Sequence, residues 1–314
     1  MKVINYRYGD GQKHGLPKLA LALGFFDGVH LGHRELIRRA AARARELSLP
    51  LGVFTFPSET PSLKASKSRL YSTEEKLMLL EGLGADYVIV ADFDSMSGLE
   101  PADFVTRVLV SDLNCRLAVL GYNFRFGKGA TGDAQLLAEL LKASGGSYII
   151  VEEQKYRGDT LSASAIRESL ARGEVDRAAG MLGAPYHLMG RVEHGLGLGR
   201  TLGFPTVNTP LPEGSPLRSG VYVTAVPLCG KIYTALTNVG SCPTFGERTP
   251  HAETTLLDFS GDLYGEELRI YFLARLRGET VFSSAEELTE QIRQDKEQAR
   301  KLTGEIKWQE IGLS

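Results

Sequence analysis

The first half of the chain alternates short apolar runs with helical patterns. The apolar runs have the length of single strands, and they lie at Leu19–Phe25, Leu51–Phe56, Tyr87–Ala91, Arg116–Leu120 and Tyr148–Val151. Apolar residues at helical spacing fill the stretches between them, at about 31–47, 73–82, 101–110 and 133–143. This alternation predicts βαβ units, and the near-continuous apolar strands predict a doubly wound parallel sheet covered by helices on both faces.

Two helix starts carry the spacing of a capping box, in which a hydroxyl and a carboxylate three residues apart each accept a bond from a free backbone amide. Ser72 with Glu75 marks the second helix, and Ser284 with Glu287 marks a helix near the C-terminus. In an open parallel α/β sheet, ligands bind outside the carboxyl ends of the strands. We therefore expect the chemistry of the first half in the loops that follow its strands.

The pattern changes at about residue 186. From there, turns with Gly and Pro separate short strands, which lie near 187–193, 221–227, 231–239, 253–258 and 268–276. An amphipathic helix follows at about 284–302, with carboxylates early and basic residues late, as the helix dipole favours. These features predict a small β-barrel with a terminal helix, and a two-domain chain divided into 1–184 and 185–314.

Composition narrows the classes of function. Of the 314 residues, 43% are hydrophobic and 24% are charged, which is typical of a globular protein. A formal net charge of −2 gives no overall attraction to nucleic acid or to anionic lipid, so we expect neither as a partner. The three cysteines lack CxxC spacing, and no stretch has the pattern of a signal peptide or a membrane span. We expect a cytoplasmic protein with a small-molecule partner.

A glycine-rich turn with Gly24, Gly28 and Gly32 follows the first predicted strand and leads into a helix. Such a junction directs free backbone amides and the positive end of the helix at one point, which favours a bound anion. His30 and His33, three residues apart at the helix start, share a face and can both donate to phosphate oxygens. Either histidine alone would be read as a surface residue. The pair is unusual at a helix start, where Ser, Thr, Asp or Asn is the rule.

The stretch from Gly24 to His33 resembles the nucleotidyltransferase signature of bacterial bifunctional riboflavin kinase/FMN adenylyltransferases, the FAD synthetases. This resemblance implies that the nucleotide site is lined by Gly24, Phe26, Asp27, Gly28 and Gly32. The stretch Gly121–Gly129 resembles the loop of the same family that contacts flavin and nucleotide, which implies contacts from Asn123, Phe126 and Gly127. It is not a P-loop, because its glycine spacing is one residue too long and it lacks the Ser or Thr that would hold Mg²⁺.

The segment Leu161–Arg167 resembles a third family motif, in which hydroxyls and an arginine hold the phosphates of ATP. The resemblance implies phosphate contacts from Ser162, Ser164 and Arg167, and an arginine can make such a contact bidentately. Taken alone, the segment would be read as a helix cap.

Two departures from the family pattern affect the first half. The family usually has Thr-Phe-x-Pro-His-Pro after the second strand, whereas this chain has Ser58 and Glu59 in place of Pro-His. Ala163 replaces a usual serine. We therefore expect the adenylyltransferase activity to be weaker than in a relative with the full motif.

The β-rich half contains a glycine-rich stretch that ends at Gly203 and is followed by Pro205. Its glycine spacing excludes a dinucleotide-binding fingerprint, because proline stands where a helix would have to begin. Thr206 and Asn208 alternate along an extended segment, so two oxygen ligands suited to Mg²⁺ lie on one side. The stretch resembles the Pro-Thr-Ala-Asn motif of riboflavin kinases. That resemblance implies nucleotide contacts from Gly199, Arg200, Gly203, Thr206 and Asn208.

The stretches Asn238–Phe245, Glu253–Phe259 and Asp262–Gly265 also resemble riboflavin kinase segments in order and spacing. Glu253 opens an apolar strand, where a carboxylate can accept the proton of an attacking ribityl hydroxyl. Taken alone it would be an ordinary charge at a strand end. Thr255 stands where many relatives have histidine.

The resemblance therefore implies a bifunctional enzyme, with an N-terminal α/β nucleotidyltransferase domain and a C-terminal β-barrel kinase domain. The barrel would phosphorylate riboflavin with MgATP to give FMN, with Glu253 as the base and with Mg²⁺ held by Thr206 and Asn208. The first domain would adenylylate FMN to FAD with ATP as co-substrate. Charge on the transferring phosphate would be stabilised by His30, His33 and Arg167.

Three alternatives stay open at this point. The protein could be a riboflavin kinase with a vestigial N-terminal domain, or another His-x-Gly-His nucleotidyltransferase with an unrelated barrel attached. The Pro-Thr-Val-Asn segment argues against an unrelated barrel, because it resembles the riboflavin kinase motif. It could also be a non-catalytic flavin-binding module, although a pure binder would need no base such as Glu253. The sequence does not determine the oligomeric state.

Overall fold

The computed structural model describes residues 1–10, 14–60, 68–193, 206–240 and 251–312. Its internal contacts divide the chain into two compact units, Met1–Ala163 and Ser164–Ser314. The domain boundary predicted between residues 184 and 185 falls within the second unit and stays a prediction.

The first unit is an α/β fold. In chain order its elements are β1 (Lys2–Tyr6), β2 (Leu19–Leu23), α1 (Leu31–Glu46), β3 (Leu51–Thr55), α2 (Thr73–Gly82), β4 (Tyr87–Ala91), α3 (Phe93–Met96), α4 (Pro101–Asp103), β5 (Cys115–Gly121), β6 (Arg125–Phe126), β7 (Gly132–Asp133), α5 (Ala134–Ala143), β8 (Ser147–Val151), β9 (Lys155–Tyr156) and β10 (Asp159–Thr160). A π-helix over Phe104–Asp112 continues α4, so the helix predicted at 101–110 has two hydrogen-bond registers. Strands β6 and β7 form a small antiparallel pair, as do β9 and β10.

Six strands of the described residues form one parallel sheet, in the order β1-β4-β3-β2-β5-β8. The chain builds outward from β2 through β3 and β4 on one side, and then returns to the other side of β2 with β5. The order therefore reverses between β2 and β5, which is where an open α/β sheet forms its ligand crevice. Strand β1 was not predicted, because it lies at the edge of the sheet and buries only Ile4 and Tyr6.

Helices cover both faces of this sheet, as predicted. Leu19, Leu21 and Leu23 of β2 belong to a core with residues of the π-helix and of α5. Ala20 and Ala22, which point the other way, belong to a second core with residues of α1 and α2. Every side chain of β2 is buried for this reason, and its sequence is apolar without alternation.

The predicted capping box at α2 is confirmed. Oγ of Ser72 accepts from the amide of Glu75 at 3.1 Å, and the carboxylate of Glu75 accepts from the amide of Ser72 at 2.8 Å. At the C-terminal helix, Oγ of Ser284 accepts from the amide of Glu287 at 3.2 Å. There the carboxylate of Glu287 accepts from the amide and hydroxyl of Ser283 instead, so the return contact goes to the preceding residue.

The second unit combines a barrel with helices. In chain order its elements are α6 (Ala163–Arg172), α7 (Val175–Leu182), β11 (His187–Arg191), β12 (Val207–Pro210), β13 (Gly220–Leu228), β14 (Lys231–Gly240), β15 (His251–Leu256), β16 (Glu267–Arg277) and α8 (Ala285–Thr303). In the described ranges, six antiparallel strands follow the order β11-β16-β13-β14-β15-β12. The amide of Glu193 donates to the carbonyl of Asn208 at 2.9 Å, so the chain beyond β11 meets β12 and the barrel is nearly closed. The predicted fold class is confirmed.

Helix α8 packs on the outside of the barrel. Ala299 lies in a buried cluster with Val221, Val223 and Leu236. Arg277 of β16 pairs with Asp295 of α8 at 2.8 Å, where the carboxylate is nearly buried. Across the described residues, no helix is both long enough and apolar enough to span a membrane.

Candidate active sites

The glycine-rich turn after β2 forms a short 3₁₀ turn that leads into α1. Phe26, Gly28 and Val29 have φ values of 54°, 80° and 44°, in the left-handed region. This region costs an L-residue roughly 1–2 kcal/mol, which the surroundings must offset. Phe26 and Val29 are fully buried, so packing holds the turn in this conformation.

The turn brings the two predicted histidines into contact. His30 is the N-cap of α1, and its Nδ1 accepts a hydrogen bond from the amide of His33 at 3.4 Å. The two rings stack with their centroids 3.6 Å apart, and the ring of Phe26 meets His33 edge-on at 5.2 Å. A Cβ on Gly32 would lie 3.2 Å from the ring of His30, so a side chain at residue 32 would require this ring to shift.

Both imidazoles are held in the neutral form. Burial lowers the pKa of His30 to about 4, although the carboxylate of Asp27 acts in the opposite direction. Burial lowers the pKa of His33 well below its usual value, and nearby His30 and Lys76 lower it further. At neutral pH the pair can therefore act as hydrogen-bond donors and not as cations. Nδ1 of His33 is buried with no hydrogen-bond partner among the described residues.

The other predicted residues of this turn have structural contacts. Asp27 is buried, and its Oδ1 accepts from the amide of Leu70 at 3.3 Å. A Cβ on Gly24 would lie 3.0 Å from the ring of Phe26, so glycine allows the ring to fold back over the end of β2. A Cβ on Gly32 would also lie 3.5 Å from the side chain of Leu161, so the segment leading to Ser162 runs beside the start of α1.

Ser164 and Arg167 belong by their contacts to the second unit. A guanidinium nitrogen of Arg167 donates to Oγ of Ser164 at 3.2 Å, so the predicted hydroxyl and arginine act as neighbours. Their contact with the phosphates of ATP stays a prediction, as does that of Ser162.

The loop after β5 stands next to β2, at the switch point of the sheet. Asn123 is exposed there, whereas Phe126 is buried and its ring packs on Phe104 at 5.3 Å. Gly127 has φ 72°, and a Cβ on it would lie 2.9 Å from the ring of Pro101. The predicted flavin loop is thus fixed by one buried aromatic residue and by a close backbone approach, and it leaves an amide side chain facing solvent.

The segment that departs from the family pattern has its own anchors. The carboxylate of Glu59 accepts from the amide of Thr73 at 3.3 Å and from its hydroxyl, and it lies 3.6 Å from Arg69. Burial alone would raise the pKa of Glu59, but these contacts outweigh it and hold the pKa below the usual range. The amide of Ser58 donates to the hydroxyl of Thr73 at 2.8 Å. Glu59 therefore ties the loop after β3 to the start of α2.

In the second unit, the three predicted kinase residues lie together. The hydroxyl of Thr206 donates to Oε1 of Glu253 at 3.0 Å. Asn208 of β12 pairs directly with Glu253 of β15, so the two side chains share one face of the barrel wall. With its proton directed at Glu253, the Thr206 oxygen has lone pairs left for a cation, as a ligand of Mg²⁺ requires.

Asn238 of β14 lies beside Glu253 but was not among the site residues predicted from the sequence. It pairs with Glu253 on the side opposite Asn208, so these three polar residues form a row across three strands. Its position at the start of a riboflavin kinase-like segment was the available signal. Gly199, Arg200 and Gly203 of the predicted flap lie outside the described residues. In the ranges that are described, no group of three or more His, Cys, Asp or Glu side chains is arranged to hold a metal.

The chain is similar to known proteins over nearly its whole length. The FAD synthetase family model matches residues 12–165, and the riboflavin kinase model matches residues 182–303. The bifunctional riboflavin kinase/FMN adenylyltransferase of Haemophilus influenzae is 36% identical over 91% of this chain and 94% of its own. The Bacillus subtilis protein of the same description is 36% identical over 91% of this chain and 93% of its own.

Among solved structures, one described as a macrolide-efflux protein from Streptococcus pneumoniae matches with a TM-score of 0.84 and 31% identity. The match covers 96% of this chain and 99% of that one, so both units share their fold with that protein. From the two family matches and the curated relatives together, the chain belongs to the bifunctional riboflavin kinase/FMN adenylyltransferase family.

Proposed function

We propose that the chain carries out two ATP-dependent steps of flavin cofactor biosynthesis in two separate domains. Domain 185–314 phosphorylates riboflavin to FMN, and domain 1–184 adenylylates FMN to FAD. The observation that carries this proposal is the contact between Thr206 and Glu253, because it joins a metal-ligand candidate to a base candidate in a barrel of the riboflavin kinase family. Free thiols at Cys115 and Cys229 fit a cytoplasmic location.

In the kinase step, Glu253 accepts the proton of the ribityl hydroxyl as that oxygen attacks the γ-phosphorus of ATP, the bond from this phosphorus to the β,γ-bridging oxygen breaks, and ADP leaves. The hydrogen bond from Thr206 holds the carboxylate in place for this transfer. Thr206 and Asn208 offer the neutral oxygen ligands that Mg²⁺ accepts alongside phosphates and water, so these two residues would hold it. When bound, Mg²⁺ neutralises charge that develops on the phosphates.

In the adenylyl transfer step, a phosphate oxygen of FMN attacks the α-phosphorus of ATP and pyrophosphate leaves. No enzyme nucleophile is required, so the site has only to align the reactants and stabilise charge. The amides at the start of α1 and the N–H groups of His30 and His33 are the donors for the phosphate oxygens. Arg167 would add a full positive charge and a bidentate contact.

One observation favours the alternative of a riboflavin kinase without adenylyltransferase activity. Glu59 stands in the loop where the family has histidine, and its contacts with Thr73 and Arg69 keep its pKa low. A carboxylate at this place cannot donate a hydrogen bond to phosphate.

Two incubations followed by chromatography decide between these functions. The first contains riboflavin, MgATP and pyrophosphatase, and we expect FMN to form and then FAD. The second starts from FMN, and we expect FAD to form without the kinase step. FMN without any FAD in both incubations would support the kinase alone. If the first incubation forms no FMN and neither incubation forms FAD, the result would support a non-catalytic flavin-binding module.

A further inference from the structure

Lys76 is a buried cation close to the histidine pair that the proposed chemistry does not use. It lies on α2 with 1% of its surface exposed. Its Nζ donates to the carbonyl of Phe56 at 2.6 Å and to the carbonyl of Phe25 at 3.2 Å. The same nitrogen lies 4.7 Å from the centroid of the Phe25 ring, within the range of a cation–π contact.

The two carbonyls belong to the loops that follow two neighbouring strands. Phe25 comes shortly after β2, and Phe56 comes directly after β3. The hydroxyl of Thr55 also donates to the carbonyl of Phe25, at 2.9 Å. Lys76 therefore joins both loops to α2, at the carboxyl edge of the sheet where the substrates of such a fold bind.

The loop after β2 is the one that needs such a support. Phe25 immediately precedes Phe26, the first of three residues with positive φ in the turn that ends at His30. The direction of the Phe25 carbonyl sets where this strained turn begins. A displacement of that carbonyl would move the N-cap of α1, and with it the stacked ring of His33.

The ammonium also acts through its charge. The titratable groups that act on the His33 ring are His30 at the N-cap of α1 and Lys76 on α2, and Asp27 in the turn acts on His30. Burial is the largest cause of the low pKa of His33, and His30 and Lys76 lower it further. The charge of Lys76 does so because a positive neighbour disfavours the protonated ring. A buried cation close to a neutral pair of donors also adds attraction for a polyphosphate, because low-polarity surroundings screen it little.

We propose that Lys76 is a positioning residue of the histidine turn: it fixes the loops that follow β2 and β3, and it supplies a positive charge close to the histidine pair. This inference rests on the proposed adenylyl transfer at His30 and His33. It predicts that charge at residue 76, and not only the packing of its side chain, sets the properties of the pair.

The test compares four variants in the full-length chain. Lys76→Arg keeps the charge, Lys76→Gln keeps a donor without charge, and Lys76→Met keeps only the length. Thr55→Val removes the other donor to the Phe25 carbonyl without changing any charge. Lys142→Met, at an exposed lysine of α5, is the control for loss of a lysine.

Two readouts are measured on each variant. The first is FAD formation from FMN and MgATP, with kcat and KM for ATP determined separately. We expect Lys76→Met and Lys76→Gln to fall by roughly ten- to a hundredfold, because a charged hydrogen-bond donor is lost. Lys76→Arg should retain most of the activity, and Lys142→Met should retain all of it. Formation of FMN from riboflavin should stay unchanged throughout.

The second readout is the NMR titration of the His33 ring, assigned by comparison with His33→Gln. We expect the midpoint to move to higher pH in Lys76→Met and Lys76→Gln, and to stay low in Lys76→Arg and Thr55→Val. A purely structural lysine would not produce this division between the variants. If the His33 ring does not titrate in any variant before the protein unfolds in acid, the comparison of FAD formation by Lys76→Arg and Lys76→Gln decides whether charge at residue 76 matters.

Equal FAD formation by Lys76→Gln and the natural chain would overturn the proposal, as would a His33 midpoint that is the same in both. A natural chain that forms no FAD overturns the adenylyltransferase assignment instead, and the titration alone then decides the role of Lys76. Should Lys76→Met fail to fold, Lys76→Gln and Lys76→Arg still separate charge from structure.

Discussion

The hydroxyl of Thr206 donates a hydrogen bond of 3.0 Å to Oε1 of Glu253, and Asn208 stands directly across from the same glutamate. One candidate metal ligand is therefore hydrogen-bonded to the candidate base, and the other is its cross-strand neighbour. A change at Thr206 should affect both the binding of Mg²⁺ and the position of the base, whereas a change at Asn208 should affect Mg²⁺ alone.

Replacing Glu253 with Gln should lower the formation of FMN from riboflavin by roughly 10²-fold or more, because the base is removed. The amide oxygen of Gln can still accept from Thr206, so the strand pairing should be kept. FAD formation from supplied FMN should persist. An equal fall in both activities would contradict separate sites, and an unchanged kinase rate would show that Glu253 is not the base.

Replacing Thr206 with Val or Asn208 with Ala should raise the Mg²⁺ concentration needed for half-maximal kinase rate, because an oxygen ligand is lost. Excess Mg²⁺ should restore Asn208→Ala more fully than Thr206→Val, since the valine variant also loses the hydrogen bond to Glu253. Thr206→Ser keeps the hydroxyl and is the control. Identical magnesium titrations for all four chains would remove both residues from the metal site.

The sequence predicted most of the fold because burial leaves a strong pattern in it. Strand β2, buried on both faces, is a continuous apolar run, whereas β1 has alternating burial at the edge of the sheet and was missed. The π-helix after Asp103 was predicted only as a helix, because the hydrogen-bond register leaves no clear trace in an apolar pattern. Contacts between segments that are distant along the chain were even harder to predict from the sequence.

The site shows the same limit. His30 and His33 could be predicted as a pair because they are three residues apart at a helix start. Lys76 could not, because its partners lie 20 and 51 residues away along the chain. The loss of histidine near Glu59 was visible in the sequence, but the contacts that Glu59 makes with Thr73 depend on the fold.

Those contacts change what we expect from restoring Pro-His at Ser58 and Glu59. The amide of Ser58 donates to Thr73 at 2.8 Å, and proline has no amide hydrogen to donate. Ser58→Pro combined with Glu59→His should therefore lower the free energy of unfolding by about 1–3 kcal/mol, measured by urea denaturation. Glu59→His alone should lose less stability and should raise FAD formation. A double variant as stable as the natural chain would show that these contacts contribute little.

The barrel should lose stability on acidification through His187. Burial, followed by the positive charge of Arg269, lowers the pKa of His187 to about 3. As pH falls below about 6.5, the unfolded chain takes up a proton at this residue that the folded chain does not, so the folded state is disfavoured. The loss from this residue between pH 7 and pH 5 should be about 2 kcal/mol.

This loss of stability should be absent in His187→Phe, which keeps a ring beside Tyr271. Urea denaturation of both chains at the two pH values measures it, and equal losses would contradict a neutral buried His187.

Replacing His33 with Ala should remove most adenylyltransferase activity, by roughly 10²–10³-fold, because a positioned donor to the transferring phosphate is lost. The variant keeps the backbone amide that caps α1 through His30, so the helix start should remain folded. Kinase activity should be unchanged, since the proposed kinase site lies in the barrel and does not include His33. The pH dependence then distinguishes a neutral donor from a cation. Burial holds the pKa of His30 near 4 and that of His33 well below its usual value, so the pair stays neutral from pH 6 to pH 8. FAD formation by the natural chain should therefore show no rise as pH falls through 6.5. A marked rise there that is absent in His33→Ala would mean that bound phosphate protonates the pair and that the imidazolium carries the charge.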